Sequence, residues 1–305
     1  MISTYLRALS AELEVPARAR ARILTEVRDH LEEAVAAGRS EAEAVAAFGD
    51  AREMALRFHE ELASSSARRA SAHTALLTLA FGIAMTLAAF GRPNALPVGI
   101  VVFVGAQLAG VAGAIAIVRW LRYRSAVLVP AERLADIHRA NALTVAVIAL
   151  VALAEMVNGI GASRPLLAVG GALLLAAALP VGVRVRTAIA RAEVVPAAAP
   201  DEDVLDDLVA VGSRYVPRLV SAARDLPALP GWLDLRRNPW RFCIVFAAVC
   251  GVGLAGWHAV AEGVGSVAVA NVSRELLAGM VIASIEALAV LACFAAFGRF
   301  LGIRR

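Results

Sequence analysis

Residues 95–118 read ALPVGIVVFVGAQLAGVAGAIAIV, an apolar run without a charged residue. A helix needs about 20 such residues to cross about 30 Å of hydrocarbon, so this stretch by itself predicts a membrane-spanning helix. Working outward, five further runs have the same character: 75–90, 142–160, 166–183, 242–260 and 276–297, the first and fourth being short. A lipid-exposed backbone must satisfy its own hydrogen bonds, which makes helix the expected form of each run. The expected fold is all-α, a small N-terminal helical domain followed by a six-span α-helical membrane bundle. Composition agrees: 60% of residues are hydrophobic, 18% are charged and the mean hydropathy is +0.71, far from an ordinary water-soluble domain.

The formal net charge of +4 is explained by where the arginines lie, and direct nucleic-acid binding is not expected. All thirty basic residues are arginine, and only Arg92, Arg164 and Arg274 fall in the odd-to-even turns between runs. The other twenty-seven lie in the N-terminal segment, the even-to-odd connections and the C-terminal tail. That is a positive-inside pattern, predicting a multi-pass protein of a bacterial cytoplasmic membrane with both termini cytoplasmic. Trp120, Trp232 and Trp240 stand at or just before the inner ends of spans, where interfacial anchors belong. No cleavable signal peptide is expected, because the first run long enough to insert starts near residue 74, after a folded-looking domain.

That domain, residues 1–63, reads as four short helices. Leu6, Leu9 and Leu13 form one stripe, and Pro16 stands where a second helix can begin. The second helix puts Ile23, Val27, Leu31, Ala34 and Val35 on one face and Arg20, Arg28, Asp29, Glu32 and Glu33 on the other, and Gly38 ends it. Ser40 with Glu43, and Asp50 with Glu53, have capping-box spacing. Gly49 ends the third helix, and Val45, Phe48, Met54, Phe58 and Leu62 face the same core. Residues 64–73, beginning Ser64-Ser65-Ser66-Ala67-Arg68-Arg69, read as a polar joint able to hinge this domain on the membrane part.

Three pieces of the domain together carry a resemblance: Tyr5 to Leu13, the run Glu26-Val27-Arg28-Asp29-His30-Leu31-Glu32-Glu33-Ala34, and Gly38-Arg39-Ser40 through Ala44 to Phe48-Gly49-Asp50 and Ala55. They resemble the HAAS, or permease prefix, domain that precedes membrane regions and permeases in bacteria. The resemblance covers about the first fifth of the chain. It implies a signalling role, in which the domain couples the membrane bundle to a PadR-like transcriptional regulator. It also directs attention to Arg28, Asp29 and His30, on or beside the polar face of the second helix, as partner-binding residues. His30 packing locally is the plainer reading of that one side chain.

After the first four spans (74–183), the connection 184–241 is expected to be cytoplasmic and amphipathic. Asp201, Glu202, Asp203, Asp206 and Asp207 alternate with Val204, Leu205, Leu208 and Val209, as in the acidic first turns of a helix. The plain reading is a solvated helix start; the sharper one docks this acidic face on arginines such as Arg18, Arg20 and Arg22. Leu219, Val220 and Ala223 continue apolar after Pro217, as a helix along the inner leaflet would. Residues 130–141, with Glu132, Arg133, Asp136 and Arg139, read as a separate short charged helix. Residues 242–305 supply two more spans and a basic tail. Arg92-Pro93 and Arg164-Pro165, with the segments 118–122 and 183–186, suggest a weak internal repeat.

Polar residues inside the spans are few: Gln107, Glu155, Asn158, His258, Ser284 and Glu286. Such groups are costly in lipid and are expected to face the bundle, with Glu286 protonated and paired to Gln107 at similar depth. Gly105, Ala109 and Gly113 recur every four residues and admit close helix contact, including contact with a second copy of the chain. Cys243, Cys250 and Cys293 have no histidine at a ligand spacing and read as small apolar filler, so no metal site and no cofactor are expected. The chain has no lysine and hence no phosphate loop, and no nucleophile triad or hydrolase carboxylate pair, so an enzyme is not expected. Two function classes remain: a membrane signalling protein with a regulator as partner, and the membrane subunit of a transporter or exporter working with ABC transporter subunits.

Overall fold

The computed structural model describes residues 1–89, 96–196 and 204–218, and isolated positions between 241 and 301. They form α1 (Ile2–Glu12), α2 (Ala17–Ala36), α3 (Glu41–Phe48), α4 (Ala51–Ala89), α5 (Leu96–Tyr123), α6 (Ala131–Gly161), α7 (Pro165–Ala192) and α8 (Val204–Tyr215), with no strand among the described residues.

The helices α1 to α3 and the start of α4 close on one core, as the sequence predicts. Tyr5, Leu6, Leu9, Leu13, Ile23, Val27, Leu31, Ala44 and Ala55 are buried together, with Phe48, Met54, Phe58 and Leu62 packed against them. Each large side chain so buried stabilises by about 1.5–3 kcal/mol relative to exposure. The stops are where they were read. Gly38 and Gly49 have φ of +95° and +106°, a backbone that an L side chain disfavours. The Gly38 N–H donates to Val35 O at 2.9 Å and the Arg39 N–H to Ala34 O at 3.2 Å, which satisfies the last carbonyls of α2. The Ser40–Glu43 capping box is complete, with the Glu43 N–H donating to Ser40 Oγ at 3.2 Å and the Ser40 N–H to Glu43 Oε2 at 2.9 Å. The hydrogen bonds that the Ser40 N–H and hydroxyl donate to Glu43 Oε2 hold that carboxyl below its ordinary pKa. Asp50 accepts from the Arg52 and Glu53 N–H groups at 2.9 and 3.3 Å, but Glu53 pairs forward with Arg57 at 2.7 Å. The second cap is thus one-sided.

Past this unit the chain departs from expectation. The polar stretch 64–73 is helix throughout, inside the 39-residue α4, which spans about 58 Å. No glycine or proline interrupts it between Ala51 and Ala80. The serines that suggested a hinge lie in a packing seam: Ser64, Ala67, Ser71, Thr74 and Phe81 are buried at helical spacing. Ser64 Oγ accepts from the Val129 N–H at 3.0 Å, Asn141 Nδ2 donates to Ser71 Oγ at 2.9 Å, and the Thr74 hydroxyl donates to Ala70 O at 3.0 Å. Small hydroxyl side chains let helices approach closely while satisfying polar atoms.

Three helices among the described residues are long and apolar enough to cross a membrane, over Val101–Tyr123, Ala131–Gly161 and Pro165–Ala192. Of the six spans expected, these three are found among the described residues. Of the run 75–90, residues 75–89 are the last stretch of α4, a helix that starts in the N-terminal unit. The runs 242–260 and 276–297 lie outside the described residues, apart from isolated positions. Residues 130–141 are not a separate helix either; they include the first turns of α6, because Leu134, Ile137 and Ala140 continue the buried face of Val145, Ile148 and Val151. Likewise α7 continues past Val183 through buried Val185 and Ala188.

The α4–α7 bundle alternates in direction. The turn between α5 and α6 is held to α4 by Ser64 and by Arg68, whose Nη1 donates to Val127 O at 2.7 Å and also to Ala126 O. Arg191 near the end of α7 donates to Ser66 Oγ. At the opposite end Ser163 takes φ of +54°, and the Arg164 N–H donates to Gly159 O at 2.7 Å before Pro165 starts α7. A Cβ on Gly171 would stand 2.5 Å from Ala152 O and 2.7 Å from Met156 N, so α6 and α7 approach backbone to backbone here. Gly105 faces Val151 and Gly113 faces Thr78, and Ala109 is buried, as the four-residue repeat predicts. Leu76, Leu79 and Ile83 of α4, Leu150 and Val157 of α6, and Leu166, Leu173 and Leu179 of α7 are exposed. That extent of outward apolar surface suits a lipid environment.

Candidate functional site

Two places combine accessible or buried charge with a defined position in the fold. The first is the outer face of α2. Arg28, Asp29 and His30 are all exposed there, and Arg28 and Asp29 make no ion pair or hydrogen bond among the described residues. His30 lies against Phe48, with ring centroids 5.8 Å apart, so it packs locally and also remains accessible. Tyr5 meets Phe48 edge-on at 5.9 Å from inside the core. Burial, and secondarily the charge of Asp50, raise the Tyr5 pKa and keep its phenol neutral. On the side towards the bundle, His59 Nε2 accepts from the Glu14 N–H at 3.0 Å, which ties the end of α1 to α4. An acceptor nitrogen must be unprotonated, and burial lowers the His59 pKa while Glu14 opposes that shift.

The second place is where α5, α6 and α8 meet. Arg119 and Arg133 are buried, as are Asp136 and Asp207. Asp207 Oδ2 accepts from Arg119 Nε at 3.3 Å, Arg133 Nη2 stands 3.7 Å from Asp207 Oδ1, and Arg122 donates to that same oxygen. Asp136 lies 3.9 Å from Arg133, 3.5 Å from Arg139 and 4.0 Å from Arg119. Arg119 also donates to Asp136 O at 2.6 Å and to Leu301 O at 2.8 Å. Its planar fork therefore joins α5 to α6, α8 and the C-terminal segment at one point. The arrangement holds elements together.

This network corrects one sequence expectation and supplies residues that expectation missed. An acid of α8 does dock on arginines, but on Arg119, Arg122 and Arg133 rather than Arg18, Arg20 and Arg22. Arg22 pairs with Glu26 at 3.3 Å, Arg20 donates to Val15 O at 3.3 Å, and Arg18 is exposed. The reason is reach: α8 follows α7, whose last turn is bonded to α4 at Ser66, at the level of the α5 end. The missed signal was local. Val204, Asp207 and Val211 share one face of α8, and an acid within an apolar face requires a buried base. The proposed internal repeat finds no support in environment, since Arg119 is buried and its counterpart Arg184 is exposed.

Of the intramembrane residues singled out, Gln107 is half-buried on α5 and Glu155 is buried on α6, while His258 and Glu286 lie outside the described residues. The Glu286–Gln107 pairing and the three cysteines also fall outside the described residues. His138, not foreseen, is buried on α6 with neither ring nitrogen hydrogen-bonded among the described residues. No cluster of metal-ligating side chains occurs among the described residues.

The four-helix N-terminal unit, with its glycine stops and Ser40 cap, agrees with comparison against known families. Residues 4–57 match the HAAS family model. The match thus ends within α4, two residues before His59 and five before Leu62. No curated protein and no solved structure matches the chain.

Proposed function

We propose that this chain is a multi-pass protein of the bacterial cytoplasmic membrane whose HAAS-like domain, on the cytoplasmic side, couples the membrane bundle to a PadR-like transcriptional regulator. The observation that carries the proposal is α4. One unbroken helix contributes Ala55 and Phe58 to the HAAS-like core, Ala63 and Ala67 to the junction around Tyr123 and Ile137, and Leu77 and Phe81 to the bundle core. A rotation or tilt of its far half must move the near half, because no flexible segment lies between them. In this reading the 75–89 stretch of α4 crosses the membrane beside α5 to α7. The arginine distribution supports cytoplasmic termini. The exposed Arg28–Asp29–His30 face supplies charged and aromatic-backed groups for a protein partner.

The test is co-purification of the intact protein with the PadR-like regulator encoded beside it. Capture is expected from the parent, with loss on Arg28→Glu/Asp29→Arg, whose exposed side chains leave the core untouched. Capture that survives deletion of residues 1–57 would refute the proposal. A second reading, the membrane subunit of an exporter, draws on Glu155 buried within α6; it predicts co-purification with an ABC ATPase instead.

A further inference from the structure

We infer that α8 is an interfacial helix whose arc of Leu208, Val209, Tyr215 and Val216 is seated in the headgroup–acyl boundary of the bilayer, with lipid as its occupant. The inference rests on the reading that α5 to α7 cross a membrane, and adds to it a surface that reading does not need.

The helix has three sides. Asp207, with Val204 and Val211 flanking it on the same face, turns towards the bundle, and Val204 packs on the cluster of Ala112, Ile115 and Ala116. Asp206, Ser213 and Arg214 form the polar side. Between them lies the apolar arc, where Leu208 is 53% exposed, Val209 49%, Tyr215 39% and Val216 48%. At about 100° per residue these four positions fall within roughly a third of the circumference.

Depth then selects the occupant. Val204 packs beside the apolar run of α5, Asp207 binds Arg119, the first residue after that run, and Arg124 sits 5.1 Å from the Tyr215 ring. The helix therefore straddles the level at which α5 leaves hydrocarbon. Arg124 also stands 5.9 Å from the Trp120 ring, giving the indole, guanidinium and phenol grouping that suits a membrane interface. The arc is continuous in character with the outward leucines and valines of the spans, and the charged side points to the aqueous phase. An amphipathic helix so placed gains by burying its apolar arc in the boundary layer. The Asp207 clip fixes which arc that is.

The experiment uses the full chain in nanodiscs of phosphatidylcholine and phosphatidylglycerol, with Cys243, Cys250 and Cys293 replaced by alanine. Nitroxide labels are placed singly by Leu208→Cys, Val209→Cys, Ser213→Cys and Leu150→Cys, and collision with oxygen and with a water-soluble nickel chelate is measured. The labels at 208 and 209 are expected to meet the nickel chelate several-fold less often than the label at 213, and to favour oxygen, as Leu150 does. Equal nickel collision at 208 and 213 overturns the inference in favour of a water-facing helix. Low collision with both reagents at 208 and 209 overturns it in favour of a protein occupant, a second copy included. A water-like Leu150 overturns the membrane reading itself, and this inference with it.

Discussion

Replacing Asp207 with leucine removes the single anion on which Arg119, Arg122 and Arg133 converge. The carboxylate is fully buried, Arg119 and Arg133 are nearly so, and the distances to them are 3.3 and 3.7 Å. Water does not reach these cations to replace the lost partner, and Asp136 is left as the remaining acid in the network. Breaking a buried pair from one side costs about 3–5 kcal/mol, chiefly the penalty of the stranded charge. The loss falls on the docking of α8, so the equilibrium between docked and undocked helix should shift by about two to three and a half powers of ten. Hydrogen exchange of the amides of residues 204–215 in the full-length protein reads this directly, as faster exchange confined to α8. The double variant Asp207→Leu/Arg119→Leu should be less damaging than the sum of its parts by at least about 1 kcal/mol, because Arg119 is then no longer stranded, although Arg122 and Arg133 still lose Asp207. Exchange in Asp207→Leu within threefold of the parent would show that the network does not hold α8, and the account of the junction would fail.

Three other outcomes follow from the geometry. The lowered pKa of His59 means that the unfolded chain takes up a proton at higher pH than the folded domain does. The stabilisation is therefore complete above the unfolded value near 6.5 and is lost as pH falls towards the folded one. Thermal midpoints of the full-length protein should decline below about pH 6.5, and His59→Gln should flatten that decline; an unchanged slope would mean another group is responsible. Gly171→Ala should destabilise by about 1–3 kcal/mol in mixed-micelle denaturation, since its Cβ meets the backbone of α6. Gly110→Ala, with nothing within 4 Å, should be neutral or mildly stabilising, and equal effects at the two sites would refute the packing described. For topology, reporter fusions after Arg164 are expected to report the outside, and those after Ser125 and Ala199 the cytoplasm; an external signal at Ala199 would overturn the orientation.

The amino-acid sequence was sufficient for the elements whose signals are local. The leucine stripe of α1, the apolar face of α2, the Ser40 box and the Gly38 and Gly49 stops were all legible, because each depends on residues within one or two turns. Arg28, Asp29 and His30 were legible as an exposed face for the same reason. Local pattern failed at 64–73 and 130–141. There polarity reads as a break in helix, since hydropathy reports on solvent and not on a neighbouring turn or helix that supplies the Val129 N–H or Asn141 as a partner.

Sequence by itself determined that this protein is all-α, rich in membrane-compatible helix and headed by a small capped domain, since composition and periodicity decide those matters without reference to distant residues. Only the tertiary structure decided that α4 joins that domain to the bundle without a hinge, and that Asp207 meets Arg119 across 88 positions of chain. A buried charge must find its partner wherever packing brings one within a few ångströms, and spacing along the chain carries no record of that distance.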